Sequence, residues 1–309
     1  MDARNRVRRA SLAVVSGTMP PALALTRNRM PTTAEDLAIV HRALEEDAPT
    51  GDLTSELVVP SASRCTAQLI AKEPGVLAGT GVAGTVFDVT AQQDGTEIAQ
   101  DWRSEDGAPL TPGAVIATFS GPFRTVLRAE RPAINLLAHL SGIATLTRRY
   151  VEAAAPAEVL CTRKTLPGLR SVERLAVAAG GGSLHRASLS EAILIKDNHL
   201  RAAGGVTDAV ARAKVSGLPV EVEVETMAQL EQAITAGADR ILLDNPTPAL
   251  VRRAVALVGD PLRLEISGGV TLETVGELVA AGARIVSVGR LTHSAPSLDI
   301  SLEVTDVGA

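Results

Sequence analysis

Short aliphatic runs alternate with helical stretches along the second half of the chain. The runs are rich in Val, Ile and Leu, as is typical of strands that are buried on both faces of a parallel sheet. They cover residues 158–162, 192–196, 220–225, 240–244, 263–267 and 284–289. Because the segments between them have helical periodicity, the pattern predicts a βα-barrel or a doubly wound sheet.

An internal repeat supports this interpretation. Residues 226–241 align without gaps on residues 271–286. In each copy a threonine precedes a helical stretch, an Ala-Gly-Ala step ends it, and a strand follows at once, which matches the usual signals for the two ends of a helix. No glycine-rich phosphate loop opens the series, so we prefer the barrel to the doubly wound sheet.

The first half of the chain has a different pattern. Thr33 and Asp36 have the spacing of a capping box and predict that a helix begins there. Residues 65–119 consist of short strand-like runs between Pro-Gly and Asp-Gly turns, which predicts a small, mostly antiparallel sheet. Residues 128–155 repeat apolar positions at helical spacing, and Gly142 in their middle indicates either close packing or a break between two helices.

Residues 1–30 are distinct from the rest in composition. They are rich in arginine, and their apolar run at residues 10–15 is too short for the core of a signal peptide. We therefore predict a disordered extension, with Met30 as an alternative start.

The overall composition excludes several classes of protein. Of 309 residues, 46% are hydrophobic and only 2% aromatic, which suits an aliphatic core of strands and helices. The net charge of −5 argues against a nucleic-acid partner. Cys65 and Cys161 are too few for a disulfide framework and fit a reducing cytoplasm. No apolar run is long enough to predict a membrane span.

Nearly every strand predicted in the second half ends on charged residues or on a serine and glycine. In a βα-barrel the carboxyl ends of the strands surround the functional site. The residues at or near these ends are Thr162, Arg163, Lys164, His185, Arg186, Lys196, Glu223, Glu225, Asp244, Ser267, Gly268, Gly269, Ser287, Val288 and Gly289. Because surface residues without a common role would be scattered, this pattern predicts one functional site.

Five of these side chains are basic, and they suggest the charge of the ligand. Cations that converge repel one another unless a multiply charged anion lies among them. Guanidinium groups in particular bind carboxylates and phosphates with two parallel hydrogen bonds. Lys196 follows Ile-Leu-Ile and so ends a buried strand, where a purely structural lysine is uncommon. We therefore predict an enzyme that acts on a small, strongly anionic substrate.

The acidic residues allow two interpretations. Glu221, Glu223 and Glu225 share one face of a strand, with valines on the other. Glutamates that face a barrel interior need lysines or a metal to offset their burial; otherwise the valines face inward. Asp244 is a candidate for holding Mg²⁺ or a ribose hydroxyl, or else caps the helix after Pro246. The glycine turns after the last two strands are either phosphate sites or ordinary tight turns.

Several longer motifs resemble those of the quinolinate phosphoribosyltransferase family. They are 51–54, 130–135, 140–145, 162–170, 180–186, 194–199 and 287–299. The resemblance implies an α/β protein in which an N-terminal α/β sandwich domain at residues 31–130, joined by residues 291–309, precedes an incomplete βα-barrel at residues 131–290.

The resemblance also implies a reaction and a set of roles. The family transfers phosphoribosyl from phosphoribosyl pyrophosphate to quinolinate with loss of CO₂, giving nicotinate mononucleotide for NAD synthesis. The basic residues would hold the dicarboxylate and the phosphates, and the glycine turns would hold the 5-phosphate. The spacing between Glu223 and Asp244 fits the family pattern, whereas the spacing between Glu225 and Asp244 does not. Glu223 and Asp244 would together bind the ribose and Mg²⁺-pyrophosphate. The residues expected to carry the chemistry are Lys164, Lys196, Glu223 and Asp244. The family further implies a homodimer in which Arg131 enters the partner's site.

Three positions depart from the family pattern and keep alternatives open. Leu166, Leu184 and Pro132 stand where Thr, Asn and Thr are usual. The change at Leu184, beside the basic cluster, leaves open a paralogue that acts on another carboxypyridine. A relative linked to molybdate transport shares the fold. A Schiff-base lyase, with Lys164 or Lys196 as nucleophile, is a third hypothesis.

Overall fold

The computed structural model describes residues 33–308, in which helices and strands alternate along most of the chain. The helices are α1 (Ala34–Asp47), α2 (Leu53–Val58), α3 (Thr80–Gln93), α4 (Phe123–Ala154), α5 (Arg170–Ala179), α6 (Asp197–Ala203), α7 (Val206–Lys214), α8 (Met227–Thr235), α9 (Pro248–Val258), α10 (Leu272–Ala280) and α11 (Arg290–His293). The strands are β1 (Arg64–Ala71), β2 (Gly75–Val76), β3 (Ala99–Trp102), β4 (Pro109–Leu110), β5 (Val115–Pro122), β6 (Glu158–Leu160), β7 (Ile193–Ile195), β8 (Val220–Val224), β9 (Arg240–Asp244), β10 (Leu264–Ser267), β11 (Ile285–Ser287) and β12 (Ile300–Gly308). The extension predicted at residues 1–30 lies outside the described residues.

The first sheet joins the two ends of the described chain. Its strand order is β12-β1-β5-β3, and all its pairs are antiparallel. Strand β1 is central, and β12 pairs along its full length from Arg64 opposite Gly308 to Ala71 opposite Ile300. The prediction of an antiparallel sheet here is therefore confirmed, but one of its strands comes from the far end of the sequence.

The prediction for residues 65–119 was incomplete, because it missed helix α3. This helix begins Thr-Gly-Val-Ala-Gly, and glycine and β-branched residues are weak helix formers. Tertiary packing overrides that local preference. Phe87 of α3 stacks on Phe119 of β5 with ring centroids 3.9 Å apart, and both side chains are fully buried. The helix thus covers one face of the first sheet.

The second sheet consists of six parallel strands in the order β6-β11-β10-β9-β8-β7. These are the six strands that the aliphatic runs predicted. A parallel bridge between Leu160 and Ser183 extends the sheet by one short segment beyond β6. No pairing closes the sheet between this segment and β7 in the described part of the chain. The fold is therefore the expected α/β arrangement, with an incomplete βα-barrel.

The repeated unit of sequence is also a repeated unit of structure. Thr226 and Thr271 each form a capping box at the start of a helix, α8 and α10 respectively. Both helices lead directly into a barrel strand through a glycine with positive φ, at +78° for Gly237 and +112° for Gly282. The two copies thus present the ends of β9 and β11 at the same edge of the sheet.

Helix α4 runs unbroken for 32 residues and connects the two sheets. Gly142 reflects close packing rather than a break, because a Cβ atom there would lie 1.9 Å from the carbonyl oxygen of Pro296. The domain boundary predicted at residue 130 falls inside this helix. No helix within residues 33–308 combines the length and the apolar character that crossing a membrane requires.

Candidate active site

A pocket of about 600 Å³ opens at the carboxyl ends of the barrel strands. The predicted site residues that line it are Thr162, Arg163, Lys164, His185, Arg186, Lys196, Glu223, Asp244, Ser267, Gly268, Gly269, Ser287, Val288 and Gly289. Residues from every barrel strand therefore meet at one place, as the geometry of a parallel barrel requires.

Two of the predicted residues lie elsewhere. Arg131 is on α4, where its side chain is 59% exposed and its Nη2 atom lies 3.6 Å from Oε1 of Glu130. Burial raises the pKa of Glu130, and the charge of Arg131 partly offsets this effect. Glu225 lines a smaller cavity of about 130 Å³ beside Gln229. Of the two glutamates considered as partners of Asp244, only Glu223 lines the main pocket.

The glutamates of β8 face the barrel interior, and cations offset their charge. Val220 and Val222 on the opposite face are fully buried. Glu223 forms an ion pair with Lys196 at the end of the neighbouring strand β7. Deeper in the barrel, Glu221 lies beside His185 and the guanidinium of a barrel arginine. A lysine therefore offsets Glu223, as one of the two alternatives predicted, whereas the cation nearest Glu221 is Arg240.

A buried charge cluster lies at the floor of the pocket. The Nε2 atom of His185 is 3.4 Å from Oε2 of Glu221 and 3.7 Å from Oε2 of Glu265, and Nη2 of Arg240 is 3.1 Å from the same Glu265 oxygen. Burial, together with the charge of Glu221, raises the pKa of Glu265 to about 7. For Glu221, burial is outweighed by the hydrogen bond from His185 and the charge of Arg240, which lower its pKa. Glu221 is thus ionised near neutrality, whereas Glu265 holds its proton up to about pH 7.

The opposite wall of the pocket is cationic and lacks a complete set of partners. The Nε atom of Arg163 is buried without a hydrogen-bond acceptor in residues 33–308. Burial and the nearby charge of Arg163 lower the pKa of Arg186. Both effects are what excess positive charge in a partly buried wall produces. Such a wall favours the entry of a carboxylate or phosphate.

Helix α5 anchors the loops that carry this wall. Arg170 donates to the carbonyl oxygens of Ala187 at 2.9 Å and Arg163 at 3.4 Å. Arg174 donates to the carbonyl oxygen of His185 at 2.5 Å. Two arginines that do not line the pocket thereby fix the backbone of the residues that do.

The positions that depart from the family pattern are not part of the pocket lining. Leu166 and Leu184 are 41% and 45% exposed. The N–H of Leu166 donates to Oε2 of Glu173 at 3.2 Å, and the other oxygen of this fully buried glutamate is 2.9 Å from Nε2 of His139. The leucine at position 166 therefore takes part in anchoring the loop through its backbone alone.

The two glycine turns differ in what their backbone offers. Gly268 has φ +84°, and a Cβ atom there would lie 2.4 Å from Oδ1 of Asn245. Asn245 in turn donates its backbone N–H to the carbonyl oxygen of Ser267 at 2.7 Å. In the second turn, the N–H of Val288 is already donated to Leu160 O at 2.9 Å. Both residues line the pocket, but the N–H of Val288 is already engaged, and Gly268 is needed because a side chain there would clash with Asn245.

Some pocket residues were missed because only strand ends were read as site positions. They are Leu194, Leu242, Glu265, Val270, Thr271, Arg290 and His293. Glu265 shares the inward face of β10 with Ser267, so strand periodicity carried its signal. Arg290 and His293 lie on α11, directly after the second glycine turn. The motif at residues 287–299 contains both of them.

Comparison with known proteins shows similarity to quinolinate phosphoribosyltransferases along nearly the whole described chain. Residues 52–141 and 143–303 match the N-terminal and C-terminal domains of the family described as quinolinate phosphoribosyl transferase. A probable nicotinate-nucleotide pyrophosphorylase (carboxylating) of Bacillus subtilis is 42% identical over 265 residues, which cover 84% of this chain and 90% of the relative. The nicotinate-nucleotide pyrophosphorylase (carboxylating) of Mycobacterium leprae is 41% identical over 274 residues, covering 86% and 95%. The solved nicotinate-nucleotide pyrophosphorylase of Francisella tularensis superposes with a TM-score of 0.83 at 35% identity, covering 90% of this chain and 98% of that one.

Proposed function

Since the chain belongs to the quinolinate phosphoribosyltransferase family, we propose that its pocket transfers the phosphoribosyl group of phosphoribosyl pyrophosphate to quinolinate with loss of CO₂. The products are nicotinate mononucleotide, pyrophosphate and CO₂, for NAD synthesis. The name pyrophosphorylase (carboxylating) describes this reaction in reverse. The observation that carries the proposal is the meeting of a cationic wall, two acids and two glycine turns in one pocket.

Each part of the pocket matches one part of the two substrates. The cationic wall suits the dicarboxylate and the pyrophosphate, because Arg163 has an unpaired buried donor and Arg186 lies beside it. The turn at Ser267–Gly269 suits the 5-phosphate, because a serine hydroxyl and two glycines with positive φ line the pocket there. Glu223 and Asp244 remain for the ribose, because carboxylates accept hydrogen bonds from its hydroxyl groups.

The chemistry needs positioning and neutralisation more than proton transfer. Pyrophosphate leaves C1 of the ribose, and positive charge develops on the ring, which the carboxylates of Glu223 and Asp244 stabilise. The pyridine nitrogen attacks with its lone pair, so no general base is required. The 2-carboxylate is then lost as CO₂, and the electron pair stays on C2, where the adjacent cationic ring nitrogen stabilises it. C2 takes up a proton from water to give nicotinate mononucleotide. Lys164 and Lys196 offset the negative charge of the departing and retained anions.

Mg²⁺ fits the acids of the pocket unequally. Asp244 is half-buried and accepts a hydrogen bond only from Nδ2 of Asn245 among the protein groups described, so its carboxylate suits a hard cation. Glu223 is engaged by Lys196. We therefore assign Mg²⁺-pyrophosphate chiefly to Asp244, with Glu223 nearer the ribose. When bound, the ion neutralises the leaving pyrophosphate.

A homodimer completes the site in this proposal. Leu53, Leu57 and Val58 of α2 are 70%, 84% and 71% exposed, which is unusual for large apolar side chains. Arg124 of α4 donates to Val59 O at 2.8 Å and so holds α2 against the start of α4. Arg131 lies two helical turns further along the same face. A second copy that covers the apolar patch would thus meet Arg131.

The reaction is tested by incubating the purified protein with quinolinate, phosphoribosyl pyrophosphate and Mg²⁺. Nicotinate mononucleotide and CO₂ should appear in equal amounts, and omission of any component should abolish them. Isomeric pyridine dicarboxylates and nicotinate serve as competing substrates. Turnover of another carboxypyridine in preference to quinolinate would identify a paralogue, and absence of any product at high enzyme concentration would rule out the transferase.

The shared site is tested by mixing two inactive variants. Arg131→Ala lacks the donated arginine, and Lys164→Ala lacks a cation of the receiving pocket. Random subunit exchange in an equal mixture should restore about a quarter of wild-type activity, because half the dimers then contain one intact site out of two. Recovery of no activity, with both variants dimeric by sedimentation, would contradict the donation. Leu57→Lys, which charges the apolar patch, is the control that should abolish recovery.

The rival hypotheses fit the pocket less well. Lys196 is engaged by Glu223, which occupies the amine that a Schiff-base lyase would use as nucleophile, and Lys164 is exposed. Borohydride trapping with carbonyl substrates would reveal such a lyase. Tight molybdate binding without turnover would instead support the transport-linked relative. We assign the reaction to the cytoplasm, where the free, buried thiols of Cys65 and Cys161 stay reduced.

A further inference from the structure

Both ring nitrogens of His185 are engaged inside the protein. Nδ1 accepts the backbone N–H of Arg186 at 2.8 Å. Nε2 lies 3.4 Å from Glu221 Oε2 and 3.7 Å from Glu265 Oε2. A ring nitrogen that accepts an N–H carries no proton, whereas one that faces two carboxyl groups carries one. The imidazole is therefore uncharged, with its proton on Nε2, although the sequence groups it with the cations.

The charge of the buried cluster agrees with this assignment. If Glu221 and Glu265 were both ionised, Arg240, which lies against both, would balance only one of them, and the other would depend on the charge of Arg186 on the pocket side of Glu221. One more proton makes the cluster neutral, and His185 has no free nitrogen to take it. The fully buried Glu265 is the remaining acceptor, and burial and the charge of Glu221 raise its pKa to about 7.

The groups that face the imidazole from other elements do not change the balance. Arg174 of α5 directs its charge at the carbonyl oxygen of His185, to which it donates. Cys161, after β6, is a neutral thiol because burial raises its pKa. On the pocket side, Arg186 and Arg163 add positive charge, which disfavours a further cation in the same wall.

The same cluster has the spacing of a metal site, since ligand atoms of His185, Glu221 and Glu265 lie within 4.8 Å of one another. The guanidinium of Arg240, however, lies 3.1 Å from Glu265 Oε2 and supplies the positive charge that a metal would bring. The arrangement is therefore a protein-internal network.

We propose that Glu265 is a positioning residue, which with Glu221 and Arg240 holds His185 as an uncharged Nε2–H imidazole in the wall of the substrate pocket. This rests on the proposed function, in which the pyridine nitrogen attacks through its lone pair. An imidazole that is released from this cluster and protonated would direct an N–H at that lone pair and suppress the attack. An uncharged ring, with its N–H directed to a buried acid, leaves the lone pair free.

The first test is a ring-nitrogen NMR spectrum of the substrate-free protein labelled with ¹⁵N-histidine. The chain has five histidines, and comparison with a His185→Gln variant assigns the signals of His185. At pH 6, where Glu265 holds its proton, we expect one protonated and one unprotonated ring nitrogen. Two protonated nitrogens at pH 7, or averaged shifts that move with pH like those of an exposed histidine, would overturn the proposal.

The second test compares Glu265→Gln with Glu265→Ala. Glutamine is uncharged and nearly isosteric with a protonated carboxyl, so below pH 7 this variant should keep the wild-type His185 signals and most of the wild-type kcat/KM. Alanine frees the imidazole, so kcat/KM for quinolinate should fall about 10- to 100-fold. The pH profile of kcat/KM should also show a new acid limb near pH 6.5, the ordinary pKa of histidine. If the alanine variant shows neither a new acid limb nor a change in the His185 signals, the positioning role is wrong.

Glu173→Ala is the matched control. Glu173 is also fully buried and also contacts a histidine, His139, but neither residue lines the pocket. Its replacement should destabilise the protein without changing the His185 signals. The spectra need no turnover, so a protein that fails to convert quinolinate still reports the form of His185. Conversely, turnover with a charged His185 would refute only this inference.

Discussion

Lys196 at the end of β7 forms an ion pair with Glu223 of β8, so the cation predicted for the substrate's acids is held by the acid predicted for the ribose. The pair lies on neighbouring strands at the open edge of the barrel. An arriving carboxylate or phosphate therefore competes with Glu223 for the ammonium group. Binding of an anion would in turn leave the glutamate available to the ribose.

This pairing predicts a strong, non-additive effect of substitution. Lys196→Met removes the cation and leaves a half-buried carboxylate without its partner, so kcat/KM should fall about 100-fold or more. Glu223→Gln should be similarly damaging. In the double variant the loss should be smaller than the sum of the single losses by about 1–3 kcal/mol. Steady-state kinetics for both substrates measure the difference, and strictly additive losses would mean that the two residues act separately.

Gly268→Ala should weaken the binding of phosphoribosyl pyrophosphate. Its φ is +84°, and the new Cβ would meet Asn245 Oδ1 at 2.4 Å, so the turn must shift. We expect an increase of about tenfold or more in the KM for phosphoribosyl pyrophosphate. Gly259→Ala is the control, since Gly259 has φ +75° but nothing within 4 Å. It should cost about 1 kcal/mol of stability with an unchanged KM.

Gly142→Ala should severely destabilise the protein. The added Cβ would lie 1.9 Å from Pro296 O, which is backbone and has little freedom to move. A loss of about 3 kcal/mol or more in the free energy of unfolding is expected. Gly276→Ala is the matched helical control: its Cβ would meet only Ala153 O, at 3.9 Å, and it should be neutral or stabilising by up to about 1 kcal/mol. Urea denaturation compares the two, and equal stabilities would show that the contact with Pro296 yields easily.

The buried acid Glu265 predicts how stability depends on pH. Its pKa is raised from 4.5 to about 7 in the folded protein, so the folded state binds the proton more tightly than the unfolded chain. This tighter proton binding stabilises the folded state fully below about pH 4.5, and the stabilisation is lost as pH rises through 7. The total loss in the free energy of unfolding is about 3 kcal/mol. The free energy of unfolding of the wild type, relative to Glu265→Gln, should therefore decrease between pH 5 and 8. A difference that increases with pH would mean that Glu265 is the ionised member of the pair.

Much of the barrel was predictable because each strand combines an aliphatic run with a polar end. Lys196 and Asp244 both follow three aliphatic residues, and both reach the pocket. The helix α3 was not predictable in this way, because many of its residues favour other conformations and burial of its side chains, including the packing of Phe87 on Phe119, selects the helix.

Pairing inside the site lay beyond what sequence periodicity predicts. Strand periodicity placed Glu221 and Glu223 on one face of β8. Whether that face points into the barrel or outward depended on which cations the neighbouring strands supply. Glu265 was missed because it precedes the strand end by two residues. The engagement of both His185 nitrogens depends on the backbone of Arg186, which no pattern of residue types describes.

The pairing of β12 with β1 has a consequence for synthesis on the ribosome. The first sheet lacks one of its edge strands until residues 300–308 have emerged, by which time the whole barrel has been translated. Its other strands come from the first half of the chain and must wait with the long exposed edge of β1 unpaired. Such an edge invites association with other nascent chains. The N-terminal sheet, although it begins the described chain, is therefore the last part of the fold that can be completed.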